Sequence, residues 1–157
     1  MRRRIIAVTD LDKPIADLVS KTDKKIVATW AADCAERALP YFEEKHPGDT
    51  RPRKAIDALR EWVRTGVFRM ADVRNTALAA HAAARDVKEE NAARSAARAA
   101  GQAVATAHVP AHAIAAAMYA ATAVRDATNS ADAGIATTKE REWQYQHLLN
   151  LIETIPS

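Results

Sequence analysis

A charge-free stretch, AAGQAVATAHVPAHAIAAAMYAATAV, runs from Ala99 to Val124 and decides the fold. It contains no Asp, Glu, Lys or Arg in 26 residues, so its length alone would permit a membrane span. We exclude a span because the stretch is mostly alanine and threonine, carries His108, Pro110 and His112, and is flanked by charged segments of ordinary soluble character. Pro110 divides it, and the helix that follows has no charged residue on any face. Such a helix belongs in the middle of a bundle.

Alanine dominates the region around this stretch. The chain has 157 residues, of which 37 are alanine, and 27 of those lie between residues 77 and 136. They keep a helical period, with arginines on a consistent face, which favours packed helices over a disordered tract. Small side chains let helix axes approach to ~8 Å, the low end of the usual range. We therefore expect a close-packed array of alanine-rich helices.

Helix boundaries can be predicted in the rest of the chain. Pro40 should kink or tighten an amphipathic helix, Gly66 should end the next one in left-handed backbone, and Asn91 should cap another. Thr137 and Glu140 have the spacing of a capping box at the start of the last helix. The patterns place helices at about residues 12–21, 24–45, 50–65, 70–87, 92–107, 111–124 and from 137 onward.

These patterns predict an all-α fold. We expect one single domain over residues 1–157, a compact bundle of six to seven helices with the alanine-rich helix Ala111 to Val124 at its centre. Residues 1–10 form an N-terminal arm, and residues 126–137 form a loop before the C-terminal helix. The length suits one core, and the four glycines and six prolines are too few for the turns of an all-β fold.

Charge and cysteine content bear on the compartment. The net charge is only +3, and the apolar run Ile5 to Val8 is too short for a secretory signal. The one cysteine, Cys34, cannot form an intrachain disulfide, which is compatible with a reducing compartment. We expect a cytoplasmic protein without a membrane segment.

No catalytic motif is evident in the sequence. It has no glycine-rich phosphate loop, no Gly-x-Ser-x-Gly turn and no Cys-x-x-Cys pair. Cys34 falls on the inward stripe of its helix, beside Trp30 and Ala31, where a thiol behaves as a small hydrophobe. We therefore expect no enzymatic activity and no cofactor.

Three histidines leave a metal-binding helical protein as an alternative. His108 and His112 are four residues apart, a spacing that can place two imidazoles on one helix face and bind zinc, and His81 could join them in space. Pro110 lies between the first two, and no acidic residue or cysteine lies near them in sequence. These features favour hydrogen-bonded packing residues over a metal site.

Charged residues of the first half are the candidates for a partner surface. Arg51, Arg53 and Lys54 gather at a helix start, where the helix dipole favours anions, so an acidic group should compensate for them. Intramolecular ion pairs, an acidic partner surface or a phosphate would each do so. Residues 1–70 carry 15 basic and 11 acidic side chains. This excess leaves weak nucleic-acid binding as a further alternative, but is too small to argue for it.

Several sequence blocks resemble a known family. The blocks are WAADCAER (30–37), LPYFE (39–43), RPRKAI (51–56), EW (61–62), HAAAR (81–85) and AGQAVATAH (100–108), with His112-Ala and Tyr119-Ala after them. They are similar to immunity proteins of bacterial polymorphic-toxin systems, in the group resembling the fifth immunity-protein class. The resemblance implies an all-helical, non-enzymatic protein that binds and neutralises a cognate toxin. Immunity proteins against nucleases are often acidic, whereas this chain has a pI of about 9.2, which argues against a nuclease partner.

The expected function is therefore inhibition of a cognate toxin by occlusion. The residues that we expect at the contact surface are Asp33, Glu36, Arg37, Arg51, Arg53 and Arg60. Pairing of these residues within the chain is the alternative. Trp62 or Trp143, if exposed, could serve a two-fold homodimer interface.

Overall fold

The computed structural model describes residues 6–89 and 91–154, and within these ranges it contains helices and connecting turns but no strands. The helices are α1 Asp12–Ser20, α2 Lys24–Ala38, α3 Pro40–Glu43, α4 Arg51–Thr65, α5 Met70–Asp86, α6 Ala92–Ala105, α7 His112–Ala127 and α8 Ala133–Glu153. All but the single-turn α3 are two turns or longer. The predicted all-α bundle is confirmed. Residues 1–5 of the predicted arm lie outside the described ranges.

Local chemistry determines where several helices begin and end. α2 stops at Ala38 and α3 starts at Pro40, because proline has no backbone N–H to continue the first helix. Gly66 ends α4 with a φ of 72°, a left-handed conformation that favours glycine. The Asn91 side chain accepts the Arg94 backbone N–H at 3.2 Å and so caps α6. The helix end predicted at Gly66 and the cap predicted at Asn91 are confirmed, while the helix predicted over residues 24–45 with a kink at Pro40 is divided there into α2 and α3.

The centre of the bundle is made by α6 and α7. Helix α6 packs against α2, α3, α4, α5 and α7, while α7 packs against α1, α2, α6 and α8. Most of the buried residues of both helices are alanine, so the neighbouring helices can approach closely. The predicted central alanine-rich helix is confirmed, and α6 shares that position with it.

Larger side chains surround this alanine centre. Trp30, Phe42, Ile56 and Leu148 are fully buried, and each contributes more transfer free energy than an alanine, about 1.5–3 kcal/mol for a Leu or Phe. The Trp30 indole N–H is satisfied, since it donates to the backbone carbonyl of Gln144 at 2.7 Å. The core therefore joins α2 and α3 to α4 and α8 around the small residues of α6 and α7.

Helix α8 also carries polar residues into the interior. Arg141 and Gln144 are fully buried. Arg141 donates to Gln144 Oε1 at 2.7 Å and to Asp12 Oδ1 at 2.8 Å, while Gln144 Nε2 donates to the Ala117 carbonyl at 2.9 Å. These hydrogen bonds connect α8 to α1 and α7.

The loop predicted over residues 126–137 is wrong at both ends. Helix α7 continues to Ala127 and α8 begins at Ala133, so only residues 128–132 connect them. Thr137, the predicted cap, lies inside α8, where its hydroxyl donates to the Ala133 carbonyl at 2.6 Å. Glu140 does not complete a capping box with it, because the Glu140 carboxylate binds Arg37 instead.

The described part of the N-terminal arm is held against α7. The Ala7 backbone N–H donates to Thr122 Oγ1 at 2.8 Å, and Ala7 is buried. Within residues 6–89 and 91–154, none of the helices is both long and apolar enough to cross a membrane.

Candidate functional site

Five of the six residues predicted at a contact surface lie in one network of ion pairs. Asp33, Glu36 and Arg37 project from α2, and Arg53 and Arg60 from α4. Their partners come from α2, α3, α4 and α8. We call the whole set the charged network; its members are Asp33, Glu36, Arg37, Glu43, Arg53, Arg60, Glu140, Trp143 and His147.

The α2–α4 half of the charged network consists of two arginines that each bind two carboxylates. Arg53 donates to Glu36 at 2.6 Å and to Glu43 at 3.0 Å. Arg60 donates to Asp33 at 3.0 Å and reaches Glu36 at 3.5 Å. Because Glu36 binds both arginines, the two helices are joined by a continuous row of charges.

The α2–α8 half is built around Trp143. The Arg37 guanidinium carbon lies 3.9 Å from the centroid of the Trp143 ring, and Arg37 donates to both carboxylate oxygens of Glu140 at 2.8 and 2.9 Å. On the same helix His147 stacks on Trp143 with ring centroids 4.6 Å apart. His147 Nε2 lies 2.7 Å from Asp33 Oδ2, which connects the two halves of the network.

The surroundings of Arg37 and Arg53 favour the charged form of both side chains. The hydrogen bond to Glu140 raises the pKa of Arg37, against the opposing effect of its partial burial. The pKa of Arg53 is also raised, chiefly by its hydrogen bond to Glu43. The side chains remain partly exposed, with 43% of Arg37 and 34% of Arg53 accessible. The network therefore presents fixed, partly exposed charges of both signs, which suits recognition of another polar surface.

The sixth predicted residue, Arg51, lies outside the charged network. It begins α4 and binds Asp49 at 2.6 Å and Asp86, at the end of α5, at 2.7 Å. The hydrogen bond from Arg51 lowers the pKa of Asp49. These carboxylates are the acidic groups that we expected beside the cations at the start of α4.

The sequence did not reveal the α8 members of the network. The sequence pattern assigns Glu140 to a capping box and Trp143 to a candidate dimer interface. The missed signal is their spacing, since Glu140, Trp143 and His147 recur at intervals of three and four residues and so share one helix face. Trp62 and Trp143 are both partly buried against the core, which limits the exposed aromatic surface expected for a dimer.

The three histidines of the metal alternative do not form a metal site. His81 Nδ1 lies 3.0 Å from Arg98, His112 Nδ1 lies 2.8 Å from Gln102, and the His108 ring stacks on Phe68. In the part of the chain that the structure describes, no group of three or more His, Cys, Asp or Glu residues is arranged to hold a metal ion. The metal-binding alternative is therefore not favoured.

Cys34 is enclosed in the core behind the charged network. Its side chain is fully buried, and burial raises the pKa of the thiol, an effect that nearby Glu140 and Asp33 reinforce. A buried neutral thiol is a poor nucleophile. The position agrees with the inward stripe predicted for this residue.

Comparison with families of known proteins gives a match over most of the chain. A family model described as Imm-5 like putative immunity protein matches residues 17–151. The matched range contains the whole charged network and all of α2 to α7. No curated protein and no solved structure matches the chain.

Proposed function

The chain belongs to the Imm-5 like family of immunity proteins, and on that basis we propose that it binds and neutralises a cognate bacterial toxin. The family match over residues 17–151 is the observation that carries this proposal, and it confirms the resemblance of the sequence blocks. Neutralisation would occur by occlusion, with the helical bundle covering the surface through which the toxin acts.

We assign the toxin contact to the charged network. Its charged side chains are already held by defined hydrogen bonds, so they would lose little conformational entropy when a partner binds. Arginine and tryptophan are also enriched among the residues that dominate binding energies at interfaces. Arg37 and Trp143, packed together between α2 and α8, are the proposed anchor of the contact.

Charge complementarity would then select the toxin surface. The network exposes the arginines of α2 and α4 beside the carboxylates of Glu36 and Glu43. A partner with both charge signs in a matching order fits such a surface, whereas a uniformly charged partner meets repulsion. Arg51 is excluded from the proposed contact because its partners lie elsewhere, around Asp49 and Asp86.

The proposed mechanism involves no chemical step. The arginines and carboxylates of the network neutralise one another, and the buried Cys34 thiol has a raised pKa. The proposal places the protein in the cytoplasm and within a polymorphic-toxin system, in keeping with the resemblance described for the sequence blocks. The single unpaired cysteine suits a reducing compartment.

The decisive experiment combines capture of the toxin with rescue of growth. Tagged protein is used to recover partners from the native cells, and each recovered candidate is expressed in a host with and without this chain. We expect one candidate that arrests growth alone and is tolerated in the presence of this chain. Absence of both a stable partner and rescue would overturn the proposal.

A matched pair of charge reversals tests the assigned surface. Arg53→Glu combined with Arg60→Glu should abolish rescue, because both substitutions place negative charge beside the carboxylates of the network. Arg64→Glu, at an exposed α4 residue that pairs with Glu61 on the same helix, is the control and should retain rescue. Circular dichroism should show that both proteins remain folded. Full rescue by the double variant would reject the charged network as the contact surface while leaving the immunity function intact.

A further inference from the structure

A second polar cluster lies where α5 and α7 pack against α6. His81 from α5 lies beside Arg98, with Nδ1 3.0 Å from the guanidinium, and His112 from α7 lies 2.8 Å from Gln102 Oε1. Arg98 and Gln102 are four residues apart on α6, so they are neighbours on one helix face. Neither residue belongs to the charged network.

Close packing fixes the His81 ring in this cluster. Gly101 lies directly beneath it, since a Cβ at that position would be 2.7 Å from His81 Nε2. Because a guanidinium can only donate, His81 Nδ1 must accept from Arg98, and the imidazole proton is then on Nε2. Arg98 therefore uses one of its donors on a neutral acceptor.

The positive charge of this cluster is not compensated in the described part of the chain. Among residues 6–89 and 91–154, no carboxylate lies within salt-bridge distance of Arg98 or of Arg85, whereas every arginine of the charged network binds at least one. Arg98 is partly buried beside the buried alanines of α6. A half-buried guanidinium without an acidic partner has donors to offer a ligand.

Groups on three helices determine the electrostatic field at His81. Burial, together with the charges of Arg98 on α6, Arg85 on its own helix and His112 on α7, lowers its pKa to about 4. At neutral pH the positive charge therefore resides on the arginines. The electrostatic field beside His81 therefore favours a bound anion.

We propose that Arg98 and the side-chain amide of Gln102 bind an oxyanion, a carboxylate or a phosphate group, at the α6 surface between His81 and His112. The guanidinium offers a planar pair of N–H donors that matches either group. Gln102 accepts from His112 through Oε1, which leaves its two amide N–H groups for the ligand. This site does not depend on the proposed toxin contact, since it shares no residue with the charged network.

NMR of the labelled full chain at pH 6.5 tests this site. The side-chain N–H signals of Arg98 and Gln102 are followed while sodium acetate, sodium phosphate or sodium chloride is added at matched ionic strength. We expect saturable shifts with acetate, with phosphate or with both, and no saturable shift with chloride. A response to acetate identifies carboxylates as ligands, and a response to phosphate identifies phosphate groups. Equal responses to all three salts would overturn the site.

Variants at the cluster distinguish binding from a general salt effect. Arg98→Ala should weaken the anion affinity reported by Gln102 by about tenfold or more, because a charge-assisted hydrogen bond is lost. Gln102→Leu, which keeps the charge, should weaken the affinity reported by Arg98. Arg64→Ala removes the same charge from an exposed site and should leave the affinity unchanged. If Arg98→Ala, folded by circular dichroism, binds as the unchanged chain does, the assignment is wrong.

Discussion

The guanidinium of Arg37 lies over the ring of Trp143, with 3.9 Å between its central carbon and the ring centroid. The same guanidinium makes two hydrogen bonds to Glu140, whose side chain is only 9% exposed. One partly exposed arginine of α2 thus satisfies a nearly buried carboxylate of α8 and covers its aromatic neighbour. This residue therefore joins the two helices through both a paired charge and an aromatic contact.

Replacement of Arg37 should therefore destabilise the fold. We expect Arg37→Ala to lower the free energy of unfolding by about 1–3 kcal/mol, because Glu140 is left without its charged partner. Arg37→Lys should have an intermediate effect, since it keeps the charge and loses the planar pairing. Urea unfolding measures both. The exposed Arg64→Ala is the control and should unfold as the unchanged chain does; equal midpoints for Arg37→Ala and Arg64→Ala would contradict the prediction.

Replacement of Gln144, whose side-chain amide is buried, should also destabilise the fold. Gln144→Leu keeps the approximate volume but removes an acceptor of Arg141 and a donor to the Ala117 carbonyl. Arg141 is fully buried and its Nε already lacks a partner among the described residues, so we expect a loss of about 2–4 kcal/mol. Gln146→Leu, on the exposed side of α8, is the matched control and should change stability little. Similar unfolding curves for the two variants would refute this interpretation of the buried network.

Gly101 and His81 should show a strong energetic coupling. Gly101→Ala adds a Cβ only 2.7 Å from His81 Nε2, so in the unchanged chain the ring must be displaced and stability should fall. In a His81→Ala background the same substitution should stabilise α6 by about 1 kcal/mol, the usual helical advantage of alanine over glycine. A double-mutant cycle by urea unfolding measures the difference. Additive effects of the two substitutions would show that the ring does not press on Gly101.

The pH dependence of stability should contain a contribution from His81. Its pKa is about 4 in the folded chain, below the ordinary value of 6.5, because burial and neighbouring positive charges disfavour its protonation. Between pH 6.5 and 4 the unfolded chain binds more protons at this residue than the folded chain does, so stability falls as the pH is lowered through that window. Above pH 6.5 the contribution is constant.

His81→Gln isolates this contribution from that of the carboxylates. The variant should lose less stability between pH 7 and pH 5 than the unchanged chain, as measured by urea unfolding at each pH. Identical pH dependence of the two proteins would show that His81 titrates normally in the folded chain.

Local signals made the helices predictable. Pro40, Gly66 and Asn91 act through their own backbone or side chain, and the chain is disrupted, ended and capped at these three positions. The α8 start was missed because residues 133–137 contain glycine, alanine and threonine with a single large apolar residue, Ile135, which is itself exposed. That composition gives no amphipathic pattern, and the helix there continues from the strongly packed turns beyond it.

Only the α2 and α4 residues of the charged network could be predicted from the sequence. These residues could be predicted at a contact surface because they are charged and lie on outward positions of amphipathic helices. Their α8 partners are 103 residues away for Arg37 and Glu140 and 114 for Asp33 and His147. Such pairings depend on how the helices dock, which the pattern within each helix does not determine.

The long-range hydrogen bonds of α8 also impose an order on assembly during synthesis. The Trp30 indole donates to the backbone carbonyl of Gln144, 114 residues later in the chain. Asp12 accepts from Arg141, 129 residues later. Helices α1 and α2 therefore leave the ribosome well before the segment that completes their burial. A nascent chain that ends before Ala133 lacks the acceptor of the Trp30 indole and the buried arginine that binds Asp12. Protection of the first two helices is thus complete only when α8 emerges from the ribosome.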